Sequence, residues 1–589
     1  MSGTTVTKAE IYYKLHKHAL SDGDPALALG FSEKALKEDE SNFDYALAIV
    51  HSRLAQTKPP HVTVVMKDIE RAFLCDPTRR ETYDFIVPLA FQNKLPELDS
   101  WIERALIAFP EDESFLNFAG VMAMNAGDAK KARRCFQQCL SIDPTKAEHH
   151  FNCGLTYTQD LDFLDDLDDK SIWHFQMALC YKPDWPAAKQ SLVGSYTRQA
   201  KFKEAMMITS GGDVVIDALQ LEARWRSGDL ENVDYEDVIS RVTDDKGVLG
   251  SILKNQTGYF EAIGDYEKAE KAFRHIYDNR EDYFVKDSFM YKDVALGTGH
   301  FLVKIGNWEE GAPKICESII TKHEHGYPMW EGEETDHLVI LNKGLGNGDQ
   351  MFYSRYIPLA AAKAKKVTIV VAHRLKHMFA GVTEYEIVTE IPKEASHWIE
   401  CSYLIKFYGP QPMWDFVPVP QALSQAPHAT FQNPTGKALL HLASSKINPL
   451  LNYRRDVPFD LAKPLLDLPD LKWVSVAKQE GTHPNLTDLS DGIDKGPNAF
   501  EDTMKLLMEV DVVVTCDTFM AHLAGLLKRP TVLVLTTMAE FRWGSKVYEY
   551  HWFPTVTYLR QKDWGTWNDH QALIELVKTT MTSSQRPLA

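Results

Sequence analysis

The chain has 589 residues, 44% of them hydrophobic and 25% charged, the make-up of a globular protein large enough for three or four domains. No apolar run approaches the roughly 18–20 residues needed to cross a bilayer, and the opening MSGTTVTKAEIYYKL lacks a basic flank leading into an apolar core, so neither a membrane span nor a secretory leader is expected. The formal charge of -18 is uneven: residues 1–330 hold 38 Lys and Arg against 53 Asp and Glu, residues 331–589 hold 26 against 29. Without a basic stripe a duplex-binding role is disfavoured, but a near-neutral second half can still hold a small anion.

The front half repeats. Gly120, Gly127-Asp128, Ala132, Phe136 and Asp143-Pro144 set a pattern in which a small residue lets two helices approach, Gly-Asp turns the chain and Pro stops the second helix. Pro77, Pro110 and Pro144 are 33 and 34 residues apart, and Pro183 follows. Each closes an apolar helix end: AFLCDP, ALIAFP, CLSIDP, ALCYKP. Further copies centre on Gly23-Asp24, Gly264-Asp265 and Gly306-Asn307, while 200–250 is degenerate. This period resembles the tetratricopeptide repeat over about residues 8–320. Stacked repeats imply an α-helical superhelix over 1–325 whose groove takes a protein or peptide partner, or serves as a scaffold or dimerisation surface. The acidic run DLDFLDDLDDK (160–170) reads as a solvated loop or interaction surface. Eight scattered cysteines form no CxxC pair and fit a reducing cytoplasm; Cys135 and Cys139, four apart, read as buried small hydrophobes rather than metal ligands.

From about residue 335 the pattern becomes strand then helix. Strands are predicted at LVILNKG (338–344), VTIVVA (367–372), ALLHLA (438–443), KWVSVA (472–477), VDVVVTC (510–516) and TVLVLT (531–536). Helices are predicted over 350–364, 499–508 and 518–527. Continuous Val, Ile and Leu runs between helices imply parallel sheet covered on both faces. Two clusters of strands suggest two Rossmann-like halves, 326–435 and 436–589, with the Pro- and Gln-rich stretch 409–434 as linker.

Three constellations carry chemistry. In GLGNGDQ (344–350), Gly346 and Gly348 allow close backbone approach, and Asp349 stands where a strand hands over to a helix. Such a carboxylate is a candidate general base at the cleft edge, or a helix-capping Asp. In CDTFMAHLAGLLKRP (516–530), Asp517 closes a strand and Thr518 opens a helix whose first N–H groups suit an anion. Phe519 follows, and His522, one turn in, either donates to a phosphate or fills a packing gap. In NYRRDVP (452–458), Arg454 and Arg455 offer forks suited to diphosphate, or are ordinary surface arginines; Lys478 and Gln479 end the next strand on the same rim. Trp543, Trp552, Trp564 and Trp567 read as glue for the C-terminal crossover rather than a sugar platform.

Together these motifs resemble the glycosyltransferases related to ADP-heptose–lipopolysaccharide heptosyltransferases, and bacterial proteins joining tetratricopeptide repeats to such a domain. The match runs through PMWEGEE (328–334), GNGDQMFYSRYIPLAAAKAKKVTIVV (346–371), the Asp-Thr-x-x-x-His-Leu run from 517, FRWG (541–544), FPTVTYLRQ (553–561) and DWGTW (563–567). Phe519 stands where those enzymes often have a glycine that touches phosphate.

The resemblance implies a GT-B fold and a nucleotide-diphosphate sugar as substrate, with no cofactor, no obligate metal and inversion at the anomeric carbon. Asp349 then matches the catalytic base. Gly346, Gly348, Arg454, Arg455, Lys478, Gln479, Asp517, Thr518, Phe519 and His522 form the donor side. A cytoplasmic glycosyltransferase whose repeats recruit a hydroxyl-bearing acceptor is expected, with homo-oligomers open. The alternative is a non-catalytic repeat scaffold whose transferase domain is a vestige.

Overall fold

A computed structural model describes residues 6–58, 61–159, 164–318, 326–379, 382–411, 435–442 and 454–583. The chain separates into two compact units, Met1–Leu192 and Val193–Ala589, each taken by itself.

The first unit is helical hairpins: Lys8–Ser21 with Pro25–Glu38, Phe43–Leu54 with Val62–Cys75, Arg80–Gln92 with Leu98–Ala108, Glu113–Asn125 with Ala129–Ile142, and Ala147–Gln159 with Leu164–Tyr181. The Gly-Asp pair has a physical reason. Gly127 takes a left-handed φ of 79°, and the Asp128 carboxylate then accepts from Lys131 N at 2.8 Å, capping the next helix. Gly120 is small because Phe136 lies on it; a Cβ there would meet the ring at 2.6 Å. Cys135 and Cys139 are buried and free, as the sequence suggests. Of the acidic run, 160–163 lies outside the described residues. The rest begins a helix at Leu164 instead of a loop.

The second unit starts with the degenerate stretch, whose helices are uneven: Phe202–Met206, Val214–Ser227 and Tyr235–Ser240. Regular hairpins resume at Lys246–Ala262 with Tyr266–Asp278, and at Phe289–Lys304 with Trp308–Ser318. These helices belong to the same compact unit as the sheets that follow. Trp564 Nε1 donates to Trp225 O at 2.6 Å, Trp308 Nε1 donates to the Tyr550 hydroxyl, and His300 stacks on Phe541 at 4.3 Å.

Two wholly parallel sheets complete it. The first holds β1 (Thr335–Asn342), β2 (Ala364–Val371), β3 (Glu386–Val388) and β4 (His397–Glu400) in the order 3-2-1-4. The second holds β5 (Lys437–His441), β6 (Lys472–Ser475), β7 (Leu486–Asp488), β8 (Val512–Cys516), β9 (Thr531–Leu535) and β10 (Val556–Arg560). Its spatial order, 7-6-5-8-9-10, reverses direction between β5 and β8. That is the doubly wound order of a dinucleotide-binding sheet, and ligands in such sheets sit beyond the strand C-termini at the reversal.

The helix predicted over 350–364 is interrupted. It runs as α1 (Asn347–Tyr353), a 3-10 turn (Ser354–Tyr356) and a short helix (Ile357–Ala361) that carries Pro358 near its start. Proline cannot donate to the ladder and crowds the carbonyl four residues back. The helix predicted over 518–527 is α2 (Phe519–Leu526). Most of the proposed linker, 412–434, lies outside the described residues. Among the described residues no helix is long and apolar enough to cross a membrane. One core runs through the last hairpin (Val303, Trp308, Ile315), β1, α1 and α2.

Candidate active site

The site grows from two strand ends. After β1 the chain passes Lys343 and Gly344 and enters α1, with Asp349 in its first turn. The Asp349 carboxylate lies back over the loop, and a Cβ on Gly346 would meet Oδ2 at 2.9 Å. Gly348 packs on the start of α2; a Cβ there would stand 3.5 Å from Phe519 Cα and 3.4 Å from His522 Cδ2. The glycines thus seat α1 on α2 and turn Asp349 toward a cavity of about 620 Å³.

That cavity is bordered by both sheets' rims and by the last helical hairpin. Lys343, Asp349 and Glu400 come from the first sheet's rim, Arg455 and Glu540–Arg542 from the second, and Leu296, His300, Ile315 and Ser318 from the hairpin. The charged groups form a buried knot. Arg542, with a side chain 8% exposed, ion-pairs with Asp349. Arg455 Nη2 donates to Glu540 Oε1 at 2.9 Å. Asp517 Oδ1 accepts from Trp543 Nε1 at 2.7 Å, and Oδ2 accepts from Glu540 N at 3.2 Å. Among the described residues, neither Arg455 Nε nor Arg542 Nε finds an acceptor, although both are buried.

Burial and charge pull these groups apart. Burial pushes the Asp517 carboxyl up, against the opposing pull of Arg542 and Arg455. Burial would do the same to Glu540, but Arg455 and Arg542 outweigh it and hold Glu540 below the usual carboxylate range. Burial works against the Arg542 charge, yet Asp349, Glu540 and Asp517 more than restore it, so its pKa is raised. Burial pulls His300 down to about 4, so it is neutral at pH 7.

Of the residues singled out from the sequence, Asp349 and Arg455 border the cavity. The rest are not among the residues that line it. The Arg454 carbonyl accepts from the Thr536 hydroxyl. Thr518 caps α2, its hydroxyl accepting from Met520 N at 3.3 Å. The Phe519 ring stacks on Phe500 at 4.3 Å and meets His441 edge-on at 5.6 Å. His522 is 1% exposed and stacks on Trp543 at 4.9 Å, with burial holding its pKa well below the ordinary value. It fills a packing gap in this arrangement. Gln479 folds back on its own strand, with Oε1 accepting from Leu442 N at 3.1 Å and Nε2 donating to Ala477 O at 2.9 Å. Lys478 is exposed on the rim. In the NYRRDVP motif, Asn452 and Tyr453 lie outside the described residues.

Sequence reasoning passed over Glu540 and Arg542. The signal was FRWG, an arginine between two aromatics, which was grouped with the tail segments. The four tail tryptophans pack as glue: Trp543, Trp552 and Trp564 are buried and Trp567 lies partly buried on the second sheet's core.

No protein-family model matches the chain, and no curated protein is significantly similar to it. Several solved repeat structures are similar to part of it. The crystal structure of MamA protein is 19% identical over 30% of this chain and 92% of that one, with a TM-score of 0.26. YrrB, described as a TPR protein with an unusual peptide-binding site, is 19% identical over 31% and 90%, with a TM-score of 0.27. A tetratricopeptide repeat protein from Parabacteroides merdae is 12% identical over 42% and 98%, with a TM-score of 0.28. The repeat architecture stands on this chain's own hairpins and their 33- to 34-residue spacing.

Proposed function

We propose that the chain is a glycosyltransferase of the GT-B type, moving a sugar from a nucleotide-diphosphate donor to a hydroxyl acceptor brought by the repeats. One observation carries the reading. Asp349 at the rim of one parallel sheet and Arg455 at the rim of the other border a single cavity, beside the reversal point of a doubly wound sheet. The pairing supplies a base and an electrophilic clamp within one chamber. The acceptor oxygen bonds to the anomeric carbon as the bond from that carbon to the phosphate oxygen breaks. The electron pair leaves on the diphosphate, held by guanidinium, and the acceptor proton passes to the Asp349 carboxylate.

The hairpin wall bears on the acceptor. Leu296, His300, Ile315 and Ser318 give the cavity an apolar side with neutral polar groups, and these helices belong to the repeat-bearing part of the chain. A protein or peptide acceptor would enter along them.

The test is a panel of nucleoside diphosphates and their sugars, followed by calorimetry and by nucleotide release. Wild type binds at least one diphosphate; Arg455→Met weakens that binding about tenfold or more; Asp349→Asn binds but releases no nucleotide. Binding with undiminished release by Asp349→Asn removes Asp349 as base. Binding with no release by any protein favours the scaffold reading with a vestigial domain.

A further inference from the structure

Resting on the reading above, we propose that Arg542 is a shared cation. In the free protein it is held by Asp349, and the donor diphosphate draws it away, so that the base is released only when a donor is bound.

Four observations meet at this residue. Arg542 contacts Asp349 directly, although 193 residues separate them in sequence. It borders the cavity together with Arg455. Its Nε is buried and finds no acceptor among the described residues, so the fork is only partly satisfied by them. A buried N–H left unpaired is destabilising, and an acceptor-rich ligand relieves it. Finally, its surroundings are over-supplied with acid: Asp349, Glu540 and Asp517 all act on it, and Arg455 is already bound to Glu540.

The consequence for Asp349 follows from electrostatics. A carboxylate oxygen that carries a guanidinium is not open to the acceptor hydroxyl. A diphosphate brings two or more negative charges into the chamber and competes for the same fork, which planar bidentate geometry suits. Once the guanidinium turns to phosphate, the Asp349 carboxylate is free of its partner and can meet the acceptor hydroxyl. Arg542 then serves the leaving group directly, which makes it both a gate and a donor ligand. Its neighbours leave the side chain a fixed floor to pivot on: the guanidinium lies 5.4 Å from the Phe541 ring centroid and 5.7 Å from that of Phe352, and its carbonyl accepts from Trp552 Nε1.

The competition has a measurable consequence. If Asp349 and diphosphate contend for one guanidinium, removing the Asp349 charge strengthens diphosphate binding. The probes are inorganic pyrophosphate, which carries no base or sugar, and the nucleoside diphosphate that binds wild type best. Calorimetry is run on wild type, Asp349→Asn, Asp349→Glu and Arg542→Lys in the full chain. Asp349→Asn is expected to bind about tenfold tighter than wild type. Asp349→Glu, which keeps the charge, stays within about twofold. Arg542→Lys, which keeps the charge but not the fork, weakens binding severalfold. Should Asp349→Asn lose its fold by thermal melting, Asp349→Ser gives the same reading. Equal or weaker binding by the uncharged Asp349 variants overturns the shared-cation proposal while leaving the donor site intact. Absence of diphosphate binding by wild type overturns both this proposal and the function on which it rests, so the two failures are told apart.

Discussion

Glu540→Gln is the substitution whose effects on stability and on binding point in opposite directions. Glu540 keeps its shape in this change and loses its charge. At 2.9 Å from Arg455 Nη2, the gross attraction is about 6 kcal/mol at an effective dielectric of ~20. Most of that is offset by desolvation of the two ions, and breaking such a buried pair from one side costs about 3–5 kcal/mol. The glutamine oxygen still accepts a hydrogen bond worth ~1 kcal/mol, leaving an expected loss of about 2–4 kcal/mol. In urea this lowers the unfolding midpoint by roughly 1 M at the slopes usual for small domains, and by less for a unit of this size. The same change removes one negative charge from the cavity wall and a like charge from Asp517, so diphosphate binding should tighten. The stability loss also has a pH window. Glu540 is held below its ordinary value of 4.5, so its contribution is present above about pH 4.5 and lost as pH falls through the depressed folded value. The gap between wild type and Glu540→Gln therefore narrows below pH 4.5. Urea melts from pH 7 down to about pH 2 and pyrophosphate calorimetry at pH 7 check both arms. Unchanged stability together with weaker binding would refute the idea that Glu540 restrains Arg455 by charge.

Other consequences are simpler to read. Trp564→Phe removes the hydrogen bond from Trp564 Nε1 to the Trp225 carbonyl, which keeps its bond from Gly228 N at 3.2 Å, so the urea midpoint should fall by the equivalent of about 0.5–1.5 kcal/mol by circular dichroism. Gly120→Val drives a side chain into the Phe136 ring and should cost about 1–3 kcal/mol or more in the first unit by calorimetry, with diphosphate affinity unchanged. His300 has its folded value lowered from 6.5 to about 4, so the unfolded chain binds the extra proton and stability falls as pH drops from about 6.5 to 4. His300→Phe should lose less over that interval in thermal melts; an identical acid limb would mean that His300 does not titrate as described.

What was legible in the sequence was what local chemistry controls. Gly-Asp turns, Ala and Phe packing positions and stop prolines act within one hairpin, so their spacing announced the repeats. Apolar runs marked β1, β2, β5, β6, β8 and β9 because buried parallel strands need no polar face. The strands β3, β4, β7 and β10 escaped because they are short or half-exposed edge positions, where burial leaves a weak pattern. The site divided in the same way. Thr518 and Asp349 stood out as candidates because each lies where a strand hands over to a helix, a local grammar. His522 follows Thr518 by four residues and Gln479 follows β6, but a side chain's direction depends on what packs against it, and Trp543 and Leu442 lie elsewhere in the chain. Arg542 shows the limit most clearly. Its partner Asp349 is 193 residues away, and no periodicity connects them. Yet FRWG held a usable clue. A guanidinium between two aromatic side chains that both become buried cannot stay unpaired, since an uncompensated buried charge is prohibitive. Such an arginine demands a carboxylate from another part of the fold, and a carboxylate already suspected of catalysis is the partner that turns a packing residue into part of the site.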